Sequence, residues 1–337
     1  MSTPWTLVVI TGSSRGLGRA LALSFAKHSS SPLELVLSGR SSTGLKETQN
    51  LVESVAVGKQ IELKTVLADL TQIKSLETVA ENLFSLNPGR TYDTFTLISN
   101  AGSLGPIGRV ESIESLVELD DAFDLNVTSA CFLTSKFVKR FLGHENLKKL
   151  HLVNISTLCA IEPFETMAIY CAAKAAREMY HKVLAKENAT NPRVRVLNYS
   201  PGPVDTEMQA DVRGNANTDQ NIRDYYSNLF VNGKLVTPEE SAEKFLRVYT
   251  RDSYVSGAHF DYYDPEDDHP VGAKKACSNP NCGCKENCKC GEECSCRKST
   301  EVTPDVCTNA NCPCGSDCLC GSTFTCSSPS GTKVVTY

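Results

Sequence analysis

A chain of 337 residues, 41% hydrophobic and with a formal net charge of −5, is long enough to bury a large core and suggests roughly two domains. The mild charge gives no basis for attraction to nucleic acid or a membrane surface, and no apolar run reaches the roughly 18 residues of a spanning helix. The first apolar run begins within a few residues of Met1, which leaves no room for a secretory leader, so a cytoplasmic location is expected.

Leu7-Val8-Val9-Ile10 reads as a buried strand. It runs into Thr11-Gly12-Ser13-Ser14-Arg15-Gly16-Leu17-Gly18 and then a helical pattern through Ala20, Leu21, Leu23, Ser24 and Phe25. Glycines let a backbone turn tightly and approach a ligand, and the following helix aims its free N–H groups at a pyrophosphate. The spacing is G-x-x-x-G-x-G rather than the common G-x-G-x-x-G. A second strand, Leu33-Glu34-Leu35-Val36-Leu37, ends in Ser38-Gly39-Arg40-Ser41-Ser42. An NAD-selective site usually places an acid there for the ribose 2′-OH. Arg40 stands there instead, and with Arg15 it offers two guanidiniums to a 2′-phosphate, so NADP(H) is the expected cofactor.

Further strands are expected at 62–67, 94–99, 149–155, 194–199 and 257–261, with helices notably at 17–28, 72–86, 117–142 and 167–188. This alternation predicts an α/β fold: a doubly wound, Rossmann-type parallel sheet with helices on both faces. Ligands then sit at the carboxyl ends of the strands. That rule collects the glycine turn, Asn100-Ala101-Gly102, Ser156 and Pro201-Gly202 on one rim.

Tyr170-Cys171-Ala172-Ala173-Lys174 places a phenol and an ammonium four residues apart on one helical face. A cation beside a phenol favours the phenolate, which is expected to move its pKa toward the working pH of an acid–base catalyst.

These motifs together, with Asn154-Ile155-Ser156, resemble the short-chain dehydrogenase/reductase family over residues 1–264. Within it, the segments Asn198-Tyr199-Ser200-Pro201-Gly202-Pro203-Val204-Asp205-Thr206-Glu207-Met208-Gln209 and Ser256-Gly257-Ala258-His259-Phe260-Asp261-Tyr262-Tyr263-Asp264 resemble the sepiapterin reductases. The resemblance implies that Tyr170 protonates a carbonyl oxygen as hydride reaches carbon, while Lys174 lowers its pKa and holds the nicotinamide ribose. It implies that Ser156 polarises the same oxygen and that Asn126 anchors a water that reprotonates Lys174. Asp69 and Leu70 fit an adenine contact, Asn100 the wall beside the ribose, and Val204, Asp205, Thr206, Met208 and Gln209 the loop over the nicotinamide. Ser41 joins Arg40 as a cofactor residue, and Thr157 joins Ser156, Tyr170, Gly202 and Asp261 as a substrate contact. A pterin presents a guanidine-like edge from which one carboxylate accepts two hydrogen bonds in parallel, the role implied for Asp261. A homodimer through the helices near 117–142 and 167–188 is implied as well.

Cys159, Cys171, His28, His144, His151, His181 and Trp5 read as packing residues. Beyond a linker at 265–276 the composition changes. Of the 16 cysteines, 13 lie between Cys277 and Cys326. Cys277, Cys282, Cys284, Cys288 and Cys290 recur as Cys307, Cys312, Cys314, Cys318 and Cys320, and Cys296 recurs as Cys326, whereas Cys294 has no counterpart. Such a segment has too few apolar residues for a core. Disulfides suit secreted proteins, whereas soft thiolates in a reducing compartment select Cu(I), Zn or Cd. The segment resembles metallothionein, which implies a metal–thiolate cluster, and residues 327–337 are expected to be disordered.

The reading is an NADPH-dependent carbonyl reductase with a metal-binding tail, its partners a small-molecule carbonyl substrate and metal ions. The alternatives are a broad dicarbonyl (benzil-type) reductase, or a metal-storage protein whose reductase domain is only a scaffold.

Overall fold

The computed structural model describes residues 3–266, so the linker beyond Glu266, the cysteine repeat and the C-terminal segment lie outside the described residues. In chain order the elements are β1 (Trp5–Ile10), α1 (Gly16–His28), β2 (Leu33–Gly39), α2 (Ser42–Val55), β3 (Ile61–Leu67), α3 (Leu76–Leu83) and β4 (Tyr92–Ser99). There follow α4 (Leu116–Phe123), α5 (Ser129–Phe141), β5 (Lys149–Ile155), α6 (Ala168–Glu187), β6 (Val194–Ser200), α7 (Glu207–Gly214), α8 (Gln220–Val231), α9 (Pro238–Arg251) and β7 (His259–Asp261). Every strand pairing is parallel, in the order β3-β2-β1-β4-β5-β6-β7. The order reverses between β1 and β4, and a crevice opens at such a switch point beyond the carboxyl ends of the strands.

The unbroken apolar run of β1 follows from burial on both faces. Leu7 and Val9 pack into one core with Phe95, Phe137 and Phe141, while Val8 and Ile10 pack into the other with Leu21, Phe25 and Phe245. Phe95 stacks on Phe141 with centroids 4.4 Å apart. Leu7, Val8, Val9 and Ile10 have no exposed surface, so each contributes roughly 1.5–3 kcal/mol of burial.

Two elements depart from the expected pattern for local reasons. The helix expected at 117–142 is divided by a π-helical turn, Asp124–Thr128. Asn126 Nδ2 donates to Ala122 O at 2.9 Å, four residues back. That side chain takes the carbonyl that the backbone N–H would claim in an α-helix, and the turn widens. The strand expected at 257–261 is shortened to three residues, because Gly257 has a φ of +86° and its N–H is given to Val196 O. The helices α2, α7, α8 and α9 add to the four stretches read from the sequence. α9 opens on a capping box of Thr237 and Glu240 with Pro238 in its first turn.

Candidate active site

A cavity of about 980 Å³ follows the carboxyl ends of the strands. On the β1 side its wall is backbone. Gly12 and Gly16 have φ of +67° and +54°. At Gly18 a Cβ would lie 2.2 Å from Gly12 O and 2.6 Å from Asn100 Nδ2, so only glycine fits. Asn100 Nδ2 donates to Thr11 O and Gly12 O, both at 2.9 Å, which ties the turn to the end of β4. Arg15, at the N-cap of α1, makes no side-chain cap. The first-turn N–H groups are therefore left to the cavity, which Arg15, Gly16, Leu17 and Gly18 line. This donor set suits a dinucleotide pyrophosphate, and the cradle fits a nicotinamide cofactor.

The other expected cofactor residues divide. Ser14, Arg40, Ser41, Leu70, Asn100, Val204, Asp205, Thr206, Met208 and Gln209 line the cavity. Ser13 is buried and donates to Ser38 O at 3.1 Å, so it joins β1 to β2. Asp69 is not among the lining residues; its Oδ1 accepts from Thr71 N at 3.1 Å and Thr71 Oγ1 at 2.9 Å. Arg15 forms an ion pair with Glu207 across the cavity mouth, both side chains exposed. Arg40 is exposed at the end of β2. The loop before α7 is held by Asp205 N on Val236 O at 2.8 Å and by Thr206 Oγ1, which accepts from Gln209 N at 3.3 Å.

The β5–α6 side is built from buried polar side chains. Lys174 Nζ lies 5.6 Å from the Tyr170 ring centroid and donates to Ile155 O at 2.9 Å. Gly102 keeps space between this amine and Asn126: a Cβ there would sit 2.8 Å from Asn126 Oδ1 and 3.7 Å from Lys174 Nζ. Asn126 itself holds Ser103 through both backbone groups, at 3.1 and 3.0 Å. Burial, with Arg177 adding to it, pushes the Lys174 ammonium well below its ordinary range.

The expectation that a lysine cation depresses the Tyr170 phenol is reversed by burial, which together with Cys159 pushes the phenol up against the lowering effects of Arg177 and a hydrogen bond with Thr157. Desolvation penalises the phenolate more than these partners favour it. At neutral pH Tyr170 thus holds its proton, the state a proton donor requires.

Ser156 and Thr157 line the cavity, as expected of substrate contacts. Ser156 Oγ donates to Glu178 Oε2 at 2.5 Å, and Glu178 is in turn met by His259 Nδ1 at 2.8 Å and Lys182 Nζ at 2.7 Å. Gly202 lines the cavity at a φ of +77°, with Tyr262 3.2 Å from where a Cβ would stand. Asp261 lies on β7 opposite Ser200 and is not among the lining residues. Its Oδ2 accepts from Ser200 Oγ at 2.6 Å and its Oδ1 from Tyr263 N at 3.0 Å.

Sequence reasoning missed Arg177, Glu178 and the part of His259. Arg177 is fully buried and donates to Asn154 Oδ1 at 3.0 Å, to Ala101 O at 2.9 Å and to Ser99 O. A signal was present: Lys174, Arg177, Glu178 and His181 follow Tyr170 at helical spacing, on the face a helix turns to its core. Cys159 and Cys171, read as fillers, share one apolar cluster with Met167 and Tyr170.

The comparisons with known proteins agree with this geometry. The short chain dehydrogenase family profile matches residues 6–217. Sepiapterin reductase of Rattus norvegicus is 38% identical over 257 residues, covering 76% of this chain and 95% of that protein. Benzil reductase ((S)-benzoin forming) of Bacillus subtilis is 31% identical, covering 71% and 91%. A solved dehydrogenase structure from Beutenbergia cavernae, with NADP bound, superposes with a TM-score of 0.62 at 25% identity, covering 77% of this chain and 96% of that one. No helix among the described residues is long and apolar enough to cross a membrane. The chain belongs to the short-chain dehydrogenase/reductase family and is an oxidoreductase that acts on CH–OH/C=O groups with a nicotinamide cofactor.

Proposed function

We propose that the protein reduces a side-chain ketone of a pterin with NADPH, as a reductase of the sepiapterin type. The observation that carries this reading is the 38% identity to sepiapterin reductase over 257 residues, 95% of that protein's length. The bound cofactor supplies hydride. The glycine turn and the first turn of α1 hold its pyrophosphate, and Arg40 with Ser41 meets the 2′-phosphate that separates NADPH from NADH. Tyr170, kept protonated by burial, gives its proton to the carbonyl oxygen. Lys174, fixed on Ile155 O, holds the nicotinamide ribose, and Asn126 shapes the space through which the proton returns.

A second reading is favoured by one observation: both Asp261 oxygens already accept hydrogen bonds and the residue stands behind the cavity lining. On that reading the substrate is a dicarbonyl of the benzil type, with no pterin edge to recognise. The test is NADPH oxidation with sepiapterin and with a panel of small diketones. Wild type favouring sepiapterin, with Asp261→Asn losing pterin affinity and keeping diketone turnover, supports the first reading. Turnover of diketones alone supports the second.

The thirteen cysteines at 277–326 form a metal–thiolate segment for Cu(I), Zn or Cd on the same proposal, joined to the 1–264 reductase domain by the linker 265–276. This part rests on the sequence repeat. Elemental analysis of protein purified under reducing conditions tests it, and a metal-free chain with paired cysteines overturns it. A homodimer in the cytoplasm completes the proposal, with sedimentation velocity as its check.

A further inference from the structure

Gln209 stands in the first turn of α7 and is only 8% exposed. Its main-chain N–H donates to Thr206 Oγ1 at 3.3 Å, which fixes where the side chain starts. Val212, three residues on and so on the same helical face, packs into the apolar cluster of Cys159, Met167 and Tyr170. Gln209 and Val212 both line the cavity, so this face of α7 covers the end where Tyr170 stands.

The side-chain amide is half satisfied. Its Oε1 accepts from Arg213 Nη1, one turn further along α7. Its Nε2 has no partner, and of the buried side-chain atoms left without one among the described residues it alone belongs to a residue lining the cavity. Leaving a buried donor unpaired is costly, which marks this one as a group kept for a ligand.

Arg213 decides which way the amide faces. A guanidinium only donates, so the atom turned to it is the oxygen and the N–H2 is left for the cavity. Arg213 is itself held. Its side chain is 14% exposed, with Nη1 3.7 Å from Asp205 Oδ1 and the guanidinium 4.1 Å over the Phe230 ring of α8. The arginine thereby ties the amide to the loop before α7 and to α8, which also carries Tyr226 to the cavity wall.

We propose that Arg213 is a positioning residue for cofactor binding, which aims the Gln209 N–H2 as a donor at an acceptor oxygen on the nicotinamide half of the dinucleotide. That half is assigned because Tyr170, which must stand beside the carbon receiving hydride, packs under the same face of α7. The inference rests on a nicotinamide cofactor and not on the identity of the carbonyl substrate.

The test measures binding to the full chain, with NADPH followed by fluorescence titration. Calorimetry follows 2′,5′-ADP, which keeps the adenosine end and its 2′-phosphate but has no nicotinamide. Gln209→Met removes the donor at nearly constant length and should weaken NADPH about tenfold, with 2′,5′-ADP held within about twofold. Arg213→Met frees the amide to turn over and should weaken NADPH about fivefold, again sparing 2′,5′-ADP. Arg213→Lys keeps a partner that only donates and should restore most of the affinity. In a Gln209→Met background Arg213→Met should cost nothing further, because both act through one N–H2. If Arg213→Met does not fold, Gln209→Glu keeps the pair with Arg213, removes the donor and should weaken NADPH by about tenfold or more.

Equal losses for both ligands, full NADPH affinity in Gln209→Met, losses that add in the double variant, or no rescue by Arg213→Lys would each overturn the proposal. A wild type that prefers NADH would overturn the NADPH reading alone. The same comparison, made then with NADH and 5′-AMP, decides this one.

Discussion

On the β1–α1 side of the crevice the wall is main chain: Gly12, Gly16 and Gly18 clear the space, and Asn100 clamps two carbonyls of the turn. On the β5–α6–β7 side it is side chain, with Lys174, Arg177 and Glu178 all under 5% exposed. The first side meets a pyrophosphate with N–H dipoles, which need no ionisable group. The second must hold and move a proton, which does require ionisable groups kept dry. Those charges are satisfied internally, through Arg177 to Ser99, Ala101 and Asn154, through Asn154 Nδ2 to Asn198 Oδ1 at 3.0 Å, and from Asn198 Nδ2 to Gly257 O at 3.0 Å. A mutation on the glycine side therefore acts on shape, and one on the other side acts on an electrostatic network.

The largest effect expected from breaking this contrast lies at Arg177. Arg177→Ala leaves two carbonyls and an amide oxygen without their donor, and should cost about 3 kcal/mol of stability by urea unfolding. A loss below about 1 kcal/mol would show that water replaces the guanidinium and that the network is not dry. Next is Gly18→Ala, which puts a methyl against Gly12 O. It should weaken NADPH binding about 100-fold by fluorescence titration, while Tyr170 chemistry, measured at saturating cofactor, changes much less. Unchanged cofactor affinity would mean the turn yields without consequence.

Acid sharpens the comparison from another direction. Burial holds His151 and His181 down to about 4, below the ordinary value of 6.5. The unfolded chain takes up these protons first as pH falls. The stability that the neutral rings contribute is whole above about 6.5 and is lost as pH falls toward about 4. Glu178, held down to about 2, keeps its contribution above about 4.5 and loses it between there and about 2. Urea midpoints should therefore drop between pH 7 and pH 5, before the Glu178 carboxylate responds; a flat profile over that interval would contradict buried neutral histidines. The smallest effect is expected at the start of α9. Thr237→Ala removes the cap of α9, costing about 1 kcal/mol with kcat unchanged.

Much of the fold was legible because its cause is periodic. The run Leu7-Val8-Val9-Ile10 is apolar at every position since helices cover both faces of its strand, and the alternation of such runs with helices dictates parallel pairing. The glycine turn was legible because backbone clearance leaves a residue-type signature. The π-helical turn at Asn126 was not, since it depends on a side chain four residues from its acceptor winning a carbonyl from the backbone.

By itself the chain's sequence determined the strand–helix order, the phosphate cradle, the Tyr170–Lys174 pair and the repeat among the thirteen C-terminal cysteines, all properties of local spacing. Only tertiary structure decided the protonation of Tyr170, since desolvation depends on what packs around the phenol. It also decided that Ser156 turns to Glu178 and that His259, 81 residues further along the chain, holds that acid. Charges and hydrogens take their direction from neighbours in space, and no spacing along the chain encodes which neighbours a parallel sheet will bring together.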